Sequence, residues 1–530
     1  MTFVTCLVLA AACGMAGALA ADPGGTDAIK ELTPEQARQL VQRRVQEPMA
    51  TSEFFDGLTE LTPETAKILA EIPRHGISFN GLVALPPETA TAIAAFRGRL
   101  LSLNGLTTLS PEAAAGLAAF KGNALSLNGL QELSPEAAAA LAAFQGALVE
   151  LNGLTSLSPE AAKALAATKR QRLELGLTSL EPEAAKALAA FAGDQLELNR
   201  LKSLSPEAAT ALAAFTGSHL GLDGLTSLSP EAARLVVTVN KSGASLAGLT
   251  TLSPEAAGIL ASCTCNFLHL DGLPALSPDA AEALAGFKGG LLKLNGVRTL
   301  TAEAAAGLST FKGHLVLAEM TALSPAAARG LAGFKGKQLT LRVPASLPAE
   351  VAAALGAFAG GSLQLMGLTS LTHEAMDGLA NCRGKLWMPQ LAHELLTRVQ
   401  TVETLTADEA RVLTFVLTGD VVRRDRWSDG VVRFPKVTAL DDADAVEVAE
   451  ILAASDQLIA FPVLKRLSPK TLQALTKNDR ILVPDITSLE LIAEPDGSLT
   501  DDFVIPDGFE ERQTRLKAEI DRRQRGPRNF

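Results

Sequence analysis

The chain has no tyrosine and only two tryptophans among 530 residues, and aromatic residues make up 4% of it. Tyr, Trp and Arg are the residues that contribute most binding energy at protein interfaces. Both tryptophans, Trp387 and Trp427, lie in the C-terminal third, near Arg423, Arg424 and Arg426. This region is therefore a candidate partner-binding surface. The alternative is that both tryptophans are buried in a capping module.

Histidine is also scarce, and the chain has no recognisable catalytic arrangement. The six histidines are scattered without His-x-x-x-His spacing or any other metal-type spacing, and Gly-x-Ser-x-Gly is absent. No glycine-rich loop follows a strand in a phosphate-binding pattern. The sequence therefore predicts a protein that is not an enzyme and has neither a cofactor nor a metal site.

Positive charge is in deficit, with 47 Lys and Arg against 58 Asp and Glu and a net charge of −11. Binding to nucleic acid requires clustered Lys and Arg that neutralise phosphates, so we expect no nucleic-acid partner. No stretch after residue 21 is long and apolar enough to span a bilayer, so we expect no transmembrane segment in the mature chain.

Residues 1–21 contain no charged residue and have the features of a secretory signal peptide. An apolar stretch, Leu7 to Ala12, precedes Ala18-Leu19-Ala20, a small-x-small cleavage site. This pattern predicts export to the periplasm, the cell envelope or the medium. Lipidation at Cys13 is a less favoured alternative, because leucine is absent from the key upstream position.

A repeat of 24 residues dominates the rest of the sequence. Its consensus is Leu-x-Leu-Asn-Gly-Leu-Thr-Ser-Leu-Ser-Pro-Glu-Ala-Ala-x-Ala-Leu-Ala-Ala-Phe-x-Gly, and its proline recurs at Pro63, Pro87, Pro111, Pro135, Pro159, Pro182, Pro206, Pro230, Pro254, Pro278 and Pro325. A single repeat cannot bury its apolar face alone and must stack on its neighbours.

Residues 101–122 show how one repeat forms one coil. Alternation in Leu101-Ser102-Leu103 predicts a short strand, and Asn-Gly predicts a turn that uses left-handed backbone angles. Ser110 and Pro111 are typical of the N-cap and first position of a helix. Gly122 is placed where a C′ glycine would end that helix.

The repeat resembles a leucine-rich repeat, with Leu-x-Leu followed by Asn inside a period of 20–29 residues. The resemblance is closest to secreted bacterial variants, and it covers about residues 50–490. Degenerate C-terminal copies keep a proline turn, as in Phe434-Pro435, Phe461-Pro462 and Val483-Pro484. The resemblance to leucine-rich repeats implies an α/β solenoid, a right-handed coil with a parallel sheet on one face and short helices on the other. Members of this broad family are mostly binding scaffolds.

The predicted organisation follows the regularity of the repeat. After the signal peptide at 1–21, an N-terminal cap is expected at 22–50 and regular repeats at 51–384. Irregular repeats or a cap follow at 385–495, and a charged tail at 496–530.

Three cysteines remain after signal cleavage, namely Cys263, Cys265 and Cys382. Cys263 and Cys382 occupy the phenylalanine position of the repeat five copies apart, too far for a disulfide. We expect buried thiols that pack as small hydrophobic groups. Cys263-x-Cys265 as a redox or metal pair has no second ligand cluster to support it.

The asparagine after the strand predicts a structural ladder, in which each side-chain amide bonds backbone groups of the adjacent coil. The predicted ladder residues are Asn80, Asn104, Asn128, Asn152, Asn199 and Asn295.

The outward residue of Leu-x-Leu forms a row along the sheet, and in this row Glu150, Glu174 and Glu197 are consecutive. Like charges on adjacent strands are mildly destabilising, so the row is a candidate site for a cation or a basic partner. A straight row of three does not converge as calcium ligands must, which favours a basic peptide or protein surface. The alternative is a harmless glutamate copied by duplication.

Together these features predict a non-catalytic, exported repeat scaffold that mediates protein–protein or envelope interactions. The alternative is a passive structural spacer of the cell envelope or surface with no specific ligand.

Overall fold

The computed structural model describes residues 29–46, 52–168, 170–418, 431–493 and 507–524. The chain forms two compact units, Met1–Leu225 (unit 1) and Thr226–Phe530 (unit 2). The predicted signal peptide at 1–21 and residue Trp427 lie outside the described residues. No helix within the described ranges has the length and apolar character needed to cross a bilayer.

Unit 1 alternates short helices with the strands of one parallel sheet, in which β1 to β8 lie side by side in chain order. Its elements are α1 Pro34–Gln46, β1 Ser52–Phe54, α2 Pro63–Leu69, β2 Gly76–Ser78, α3 Pro87–Ile93, β3 Leu100–Ser102, α4 Pro111–Ala118, β4 Ala124–Ser126, α5 Pro135–Leu141, β5 Leu148–Leu151, α6 Pro159–Ala166, β6 Arg172–Leu175, α7 Pro182–Leu188, β7 Gln195–Glu197, α8 Pro206–Leu212 and β8 His219–Gly221.

Unit 2 repeats this arrangement with a parallel sheet of β9 to β15 in chain order, followed by two three-stranded parallel sheets, β16-β18-β20 and β17-β19-β21. Its elements are α9 Pro230–Val239, β9 Ala244–Ser245, α10 Pro254–Ala261, β10 Phe267–His269, α11 Pro278–Ala285, β11 Leu291–Lys293, α12 Ala302–Leu308, β12 His314–Leu317, α13 Pro325–Ala332, β13 Gln338–Arg342, α14 Ala349–Leu355, β14 Ser362–Met366, α15 His373–Leu379, β15 Lys385–Trp387, α16 Pro389–Val399, α17 Ala407–Thr418, β16 Val431–Arg433, β17 Ala439–Leu440, α18 Ala445–Ala453, β18 Leu458–Ala460, β19 Arg466–Leu467, α19 Pro469–Thr476, β20 Ile481–Leu482, a 3-10 turn Ile486–Ser488, β21 Glu490–Leu491 and α20 Phe509–Gln524. Parallel strands that alternate with helices in chain order confirm the predicted α/β solenoid.

The coil at α4 shows why the consensus folds this way. The Ser110 hydroxyl accepts a hydrogen bond from the Ala113 amide at 3.2 Å, which caps the helix before Pro111. Leu101 of the strand and Leu117 of the helix are both fully buried. Burying a leucine side chain is worth about 1.5–3 kcal/mol, and small alanines on the helix allow close packing.

The recurring glycines do not have the role that we predicted for Gly122. No described glycine of the regular coils except Gly367 has a positive φ, so Gly122 is not a left-handed helix cap. It is required because the Phe120 ring lies against it: a Cβ built there would be 2.1 Å from Phe120 Cζ. The glycine of the Asn-Gly turn is explained similarly, since a Cβ at Gly105 would lie 2.1 Å from the backbone oxygen of Asn80 in the preceding coil.

The prediction of buried free thiols at Cys263 and Cys265 is wrong in one respect. Both residues are buried, but their sulphurs are joined as a disulfide, while Cys382 is free. These two cysteines occupy the positions that hold Phe and Gly in neighbouring coils, for example Phe287 and Gly289. The two side chains therefore project into the same space that a phenylalanine ring fills above its glycine elsewhere, and this brings them together.

Candidate functional site

Most strands of the two large sheets present two outward side chains, on either side of an inward leucine or its equivalent. In unit 1 the second outward positions align across the sheet, so that Ser126, Glu150, Glu174 and Glu197 occupy adjacent strands in register. The first outward positions align in the same way, two residues earlier.

The three glutamates contact polar groups of this chain. Glu150 Oε2 lies 2.6 Å from Ser126 Oγ and accepts a hydrogen bond from the Asn128 side chain at 3.2 Å. Arg172 Nη2 lies 2.7 Å from Glu174 Oε1 and 3.5 Å from Glu197 Oε1. One guanidinium of the sheet face thus lies near the second and the third glutamate.

Two neighbours complete the surroundings of Glu197. His219 Nε2 lies 3.5 Å from Glu197 Oε1, and the Asn199 side chain donates to Oε2 at 2.9 Å. The carboxylate also lies over Gly221, where a Cβ would be 1.9 Å from Oε2. Only glycine at this position allows the carboxylate to fold down onto the sheet.

Burial and charge act differently on the two buried glutamates. Burial raises the pKa of Glu174 above its ordinary value, although the Arg172 charge opposes this rise. Burial also opposes ionisation of Glu197, but the hydrogen bond and charge of His219, the charge of Arg172 and the Asn199 hydrogen bond together hold its pKa below the ordinary value. Both side chains are less than a tenth exposed, whereas Glu150 is half-buried.

The asparagine position forms hydrogen bonds between coils. The Asn80 side-chain oxygen accepts from the Asn104 amide and the Ser102 hydroxyl, each at 2.8 Å, and the Asn104 oxygen accepts from the Asn128 amide at 2.8 Å. The same contact to the next coil is made by Asp56, Asn128, Asn199, Asp271 and Asn295. Each of these bonds satisfies a backbone donor of the next coil, as the predicted ladder requires.

The series is interrupted at Asn152, where a one-residue deletion puts Gly176 in the next coil. The Asn152 side chain donates to Glu174 at 3.3 Å instead, and its backbone oxygen accepts from Arg200 Nη1 at 2.7 Å. Arg200 stands where the consensus has the glycine of Asn-Gly, so it reaches back across the shortened coil.

The outward face of unit 2 has a different composition. No Asp or Glu occurs in any strand from β9 to β15, whereas the outward positions include His269, Lys293, Arg342 and Lys385. The second outward row is also more accessible than in unit 1: side chains such as His269 and Lys293 are partly exposed, whereas Ser102 and Ser126 of unit 1 are buried.

Strands β10 to β12 combine this positive charge with apolar groups. We define the β10–β12 face by its outward residues Phe267, His269, Leu291, Lys293, His314 and Val316. The rings of Phe267 and His269 are 4.7 Å apart between centroids and tilted by 34°. The Phe267 ring extends over Gly243, the residue before the adjacent strand β9, where a Cβ would lie 2.1 Å from Phe267 Cε1.

Hydrogen bonding and charge define the side of this face next to β13. His314 Nε2 lies 3.0 Å from Thr340 Oγ1, and burial, followed by the charge of Lys293, lowers the pKa of His314. The lowered pKa favours the neutral form of His314, and Lys293 is the lysine of the β10–β12 face. A half-buried aromatic and aliphatic surface around one lysine suits an apolar partner segment that carries a carboxylate.

Of the two predicted tryptophan sites, Trp387 is half-buried at the outward end of β15, the edge strand of the seven-stranded sheet, beside Gln364 in register. Trp427 falls outside the described residues. Trp387 belongs to unit 2, and the glutamate row belongs to unit 1.

Four residues of the outward face were not predicted from the sequence, because the prediction covered only one of the two outward rows: Arg172, His219, Phe267 and His314. Each of these residues stands two positions before a residue in the row that was followed. Strand periodicity places positions i and i+2 on one face, so this signal was available in the repeat alignment.

No protein-family profile matches the chain, and no curated protein matches it. Several solved structures are similar to it. A leucine-rich-repeat protein of Leptospira interrogans is 19% identical with a TM-score of 0.36, covering 72% of this chain and 98% of its own. Toll in its Drosophila complex with Spatzle is 12% identical with a TM-score of 0.43, covering 81% of this chain and 60% of its own.

TLR13 in complex with ssRNA13 is 14% identical with a TM-score of 0.39, covering 78% of this chain and 61% of its own. This chain thus spans about three fifths of the Toll and TLR13 chains. At these low TM-scores the superpositions carry no argument about function. The assignment of the chain as an α/β solenoid of repeated coils rests on its own strand register.

Proposed function

We propose that this protein is a non-catalytic repeat scaffold that binds a partner protein through the β10–β12 face of unit 2. The observation that carries this proposal is the acid-free row of strands in a chain of net charge −11, with Phe267, Leu291 and Lys293 accessible on it. Phe267 is half-buried on the outward face of the sheet, outside the leucine interior, so part of its ring is available to a partner.

The partner that suits this face is an extended acidic segment with apolar side chains. The apolar residues would pack on Phe267 and Leu291, and a carboxylate would pair with Lys293. The uncharged, apolar N-terminal residues support export of the scaffold, with the cleavage site at Ala18-Leu19-Ala20. The partner of an exported scaffold would be found in the periplasm, the envelope or the medium.

Site-specific photo-crosslinking distinguishes a scaffold from a passive spacer. A photoreactive amino acid is placed at Leu291 of the β10–β12 face, and the matched control carries it at Leu100. Leu100 occupies the same first outward position in unit 1 and is 38% exposed. The scaffold is supported if the protein labelled at position 291 gives a discrete adduct in cells and the protein labelled at position 100 gives none. The adduct at position 291 should also be lost when Lys293→Glu is introduced. If neither position gives a discrete adduct, the result supports the spacer.

A second candidate is a basic peptide at the glutamate row of unit 1. It is favoured by charge imbalance, since three carboxylates face one guanidinium and one histidine. Burial of Glu174 and Glu197 leaves Glu150 as the accessible carboxylate. Binding of a fluorescent polylysine peptide at low salt, compared between the parent and Glu150→Gln, tests this candidate. Equal affinities would rule out the site.

A further inference from the structure

Unit 1 contains a buried arginine that forms no ion pair with any carboxylate in the described part of the chain. Arg170 is 3% exposed and precedes β6. Its Nη2 donates to the backbone oxygen of Leu141 at 2.6 Å, and its guanidinium carbon lies 5.7 Å from the centre of the Phe144 ring. Nε and Nη1 have no hydrogen-bond partner among the described residues, and neither does the buried hydroxyl of Thr168.

The repeat explains how an arginine enters the core at this point. Neighbouring coils have Phe and Gly at these two positions, as in Phe191 and Gly193, where the ring takes the space that a Cβ would need. Thr168 replaces the phenylalanine and Arg170 the glycine. The smaller threonine leaves room in the interior, and the arginine side chain extends into it.

Another coil of unit 1 also has an arginine in place of the repeat glycine, but there a carboxylate lies next to the guanidinium. Arg74 stands four repeats before Arg170 at the same position, and it is also buried. Its Nε lies 3.4 Å from Oε2 of Glu53, which is itself buried in the preceding strand. Here the chain provides a carboxylate for a buried guanidinium.

Strand register identifies the residue that corresponds to Glu53 in the coil of Arg170. Glu53 pairs in register with Ile77, and the same row continues through Leu101 and Leu125 to Val149. Val149 is fully buried in β5, the strand before β6. An aliphatic side chain thus takes the place of the carboxylate.

A buried, unpaired cation is strongly unfavourable, and removing its counter-charge typically costs several kcal/mol. Burial lowers the pKa of Arg170 to about 10, so the side chain remains protonated at neutral pH. A water molecule could accept hydrogen bonds but could not neutralise the charge. All three unpaired atoms are able to donate, and the group therefore suits a small anion.

We propose that Thr168 and Arg170 hold a small inorganic anion of the chloride type inside unit 1. The anion accepts hydrogen bonds from the Thr168 hydroxyl and from Nε and Nη1 of Arg170. It supplies to this coil the negative charge that Glu53 supplies to Arg74. The site is independent of the β10–β12 face and of partner binding.

Hydrogen exchange of the full chain, followed by mass spectrometry, tests the site. Exchange in peptides that cover residues 141–175 is measured in sodium chloride and in sodium gluconate at equal ionic strength, because gluconate screens charge but is too large to enter. Peptides covering 290–320 in unit 2 are the internal control. We expect chloride to slow exchange in the first region only. Above the dissociation constant, each tenfold rise in chloride should slow it by up to about tenfold.

Variants at Val149 and Arg170 make the test specific. Val149→Glu supplies the missing carboxylate and should abolish the chloride effect, whereas Val149→Gln, without a charge, should retain it. Arg170→Met should also abolish the effect, which covers the case in which Val149→Glu does not fold. Equal exchange of the parent protein in the two salts, or a chloride effect that persists in Arg170→Met, would overturn the proposal.

Discussion

Arg172 and Glu174 form an ion pair along one strand, with Nη2 2.7 Å from Oε1 and the buried Leu173 between them in sequence. Because Arg172 also reaches Glu197, one guanidinium serves two carboxylates on adjacent strands. The glutamate row is therefore part of a polar network within the sheet face. Its two buried members have pKa values shifted in opposite directions, which leads to a prediction for each.

Glu174→Gln should stabilise the protein at pH 7, because burial disfavours the ionised carboxylate and glutamine carries no charge. The raised pKa of Glu174 means that the folded chain retains a proton that the unfolded chain releases. Stability is thus lost as pH rises from the ordinary glutamate pKa through the folded pKa of Glu174. Urea unfolding at pH 4 and pH 7 should show the advantage of the variant at pH 7 only.

Glu197→Gln should do the opposite and destabilise the protein at pH 7 by about 1 kcal/mol. The lowered pKa of Glu197 contributes stability above the ordinary glutamate pKa, and this contribution is lost as pH falls through the folded pKa. The same urea titrations provide the comparison with Glu174→Gln. Shifts of equal sign at pH 7 would contradict the assigned network.

Asn104→Ala should destabilise unit 1 by about 2 kcal/mol, because the side-chain oxygen accepts from the Asn128 amide and the Ser126 hydroxyl. Asn104→Asp is the matched control: Asp56 and Asp271 make this contact to the next coil in their own positions, so aspartate should retain most of the stability. Hydrogen exchange at the Asn128 amide is the local readout. Unchanged protection in Asn104→Ala would show that the bond is dispensable.

Gly122→Ala should cost about 1–3 kcal/mol by overpacking, because the new Cβ would meet the Phe120 ring. The cost should fall in a Phe120→Ala background, so the double-mutant cycle should give a clear coupling energy. Gly258→Ala is the control, since a Cβ there meets nothing within 4 Å. Additive effects of the two changes at 120 and 122 would show that the ring does not impose the glycine.

Cys263 and Cys265 should resist alkylation by iodoacetamide in denaturant without reductant, since they are joined as a disulfide. Cys382, which is free, should be alkylated under the same conditions and is the internal control. Peptide mass spectrometry should find the peptide with both residues lighter by two hydrogens than its reduced form. Alkylation of both residues before reduction would restore the prediction of free thiols.

The Phe-Gly pair shows where reasoning from the sequence alone stopped. The recurrence of Gly122 and its equivalents indicates that only glycine fits this position, and the sequence predicted that the reason is the end of the preceding helix. The true neighbour is the Phe120 ring, which lies two residues away but folds back over the glycine. Torsion angles and ring positions are not contained in residue spacing, so the cause could not be identified from the repeat.

The 24-residue period by itself determined the coil, the helix caps and the parallel strands, because each coil packs on its sequence neighbours and repeats the same interior. It also determined which residues share an outward row. Only the tertiary structure decided which charges in those rows are compensated, since this depends on distances between side chains of different strands. Arg172 pairs with two glutamates in the sheet of unit 1, whereas no strand of the β9 to β15 sheet carries a carboxylate to pair with Lys293. Glu53 pairs with Arg74, but the equivalent residue near Arg170 is the uncharged Val149.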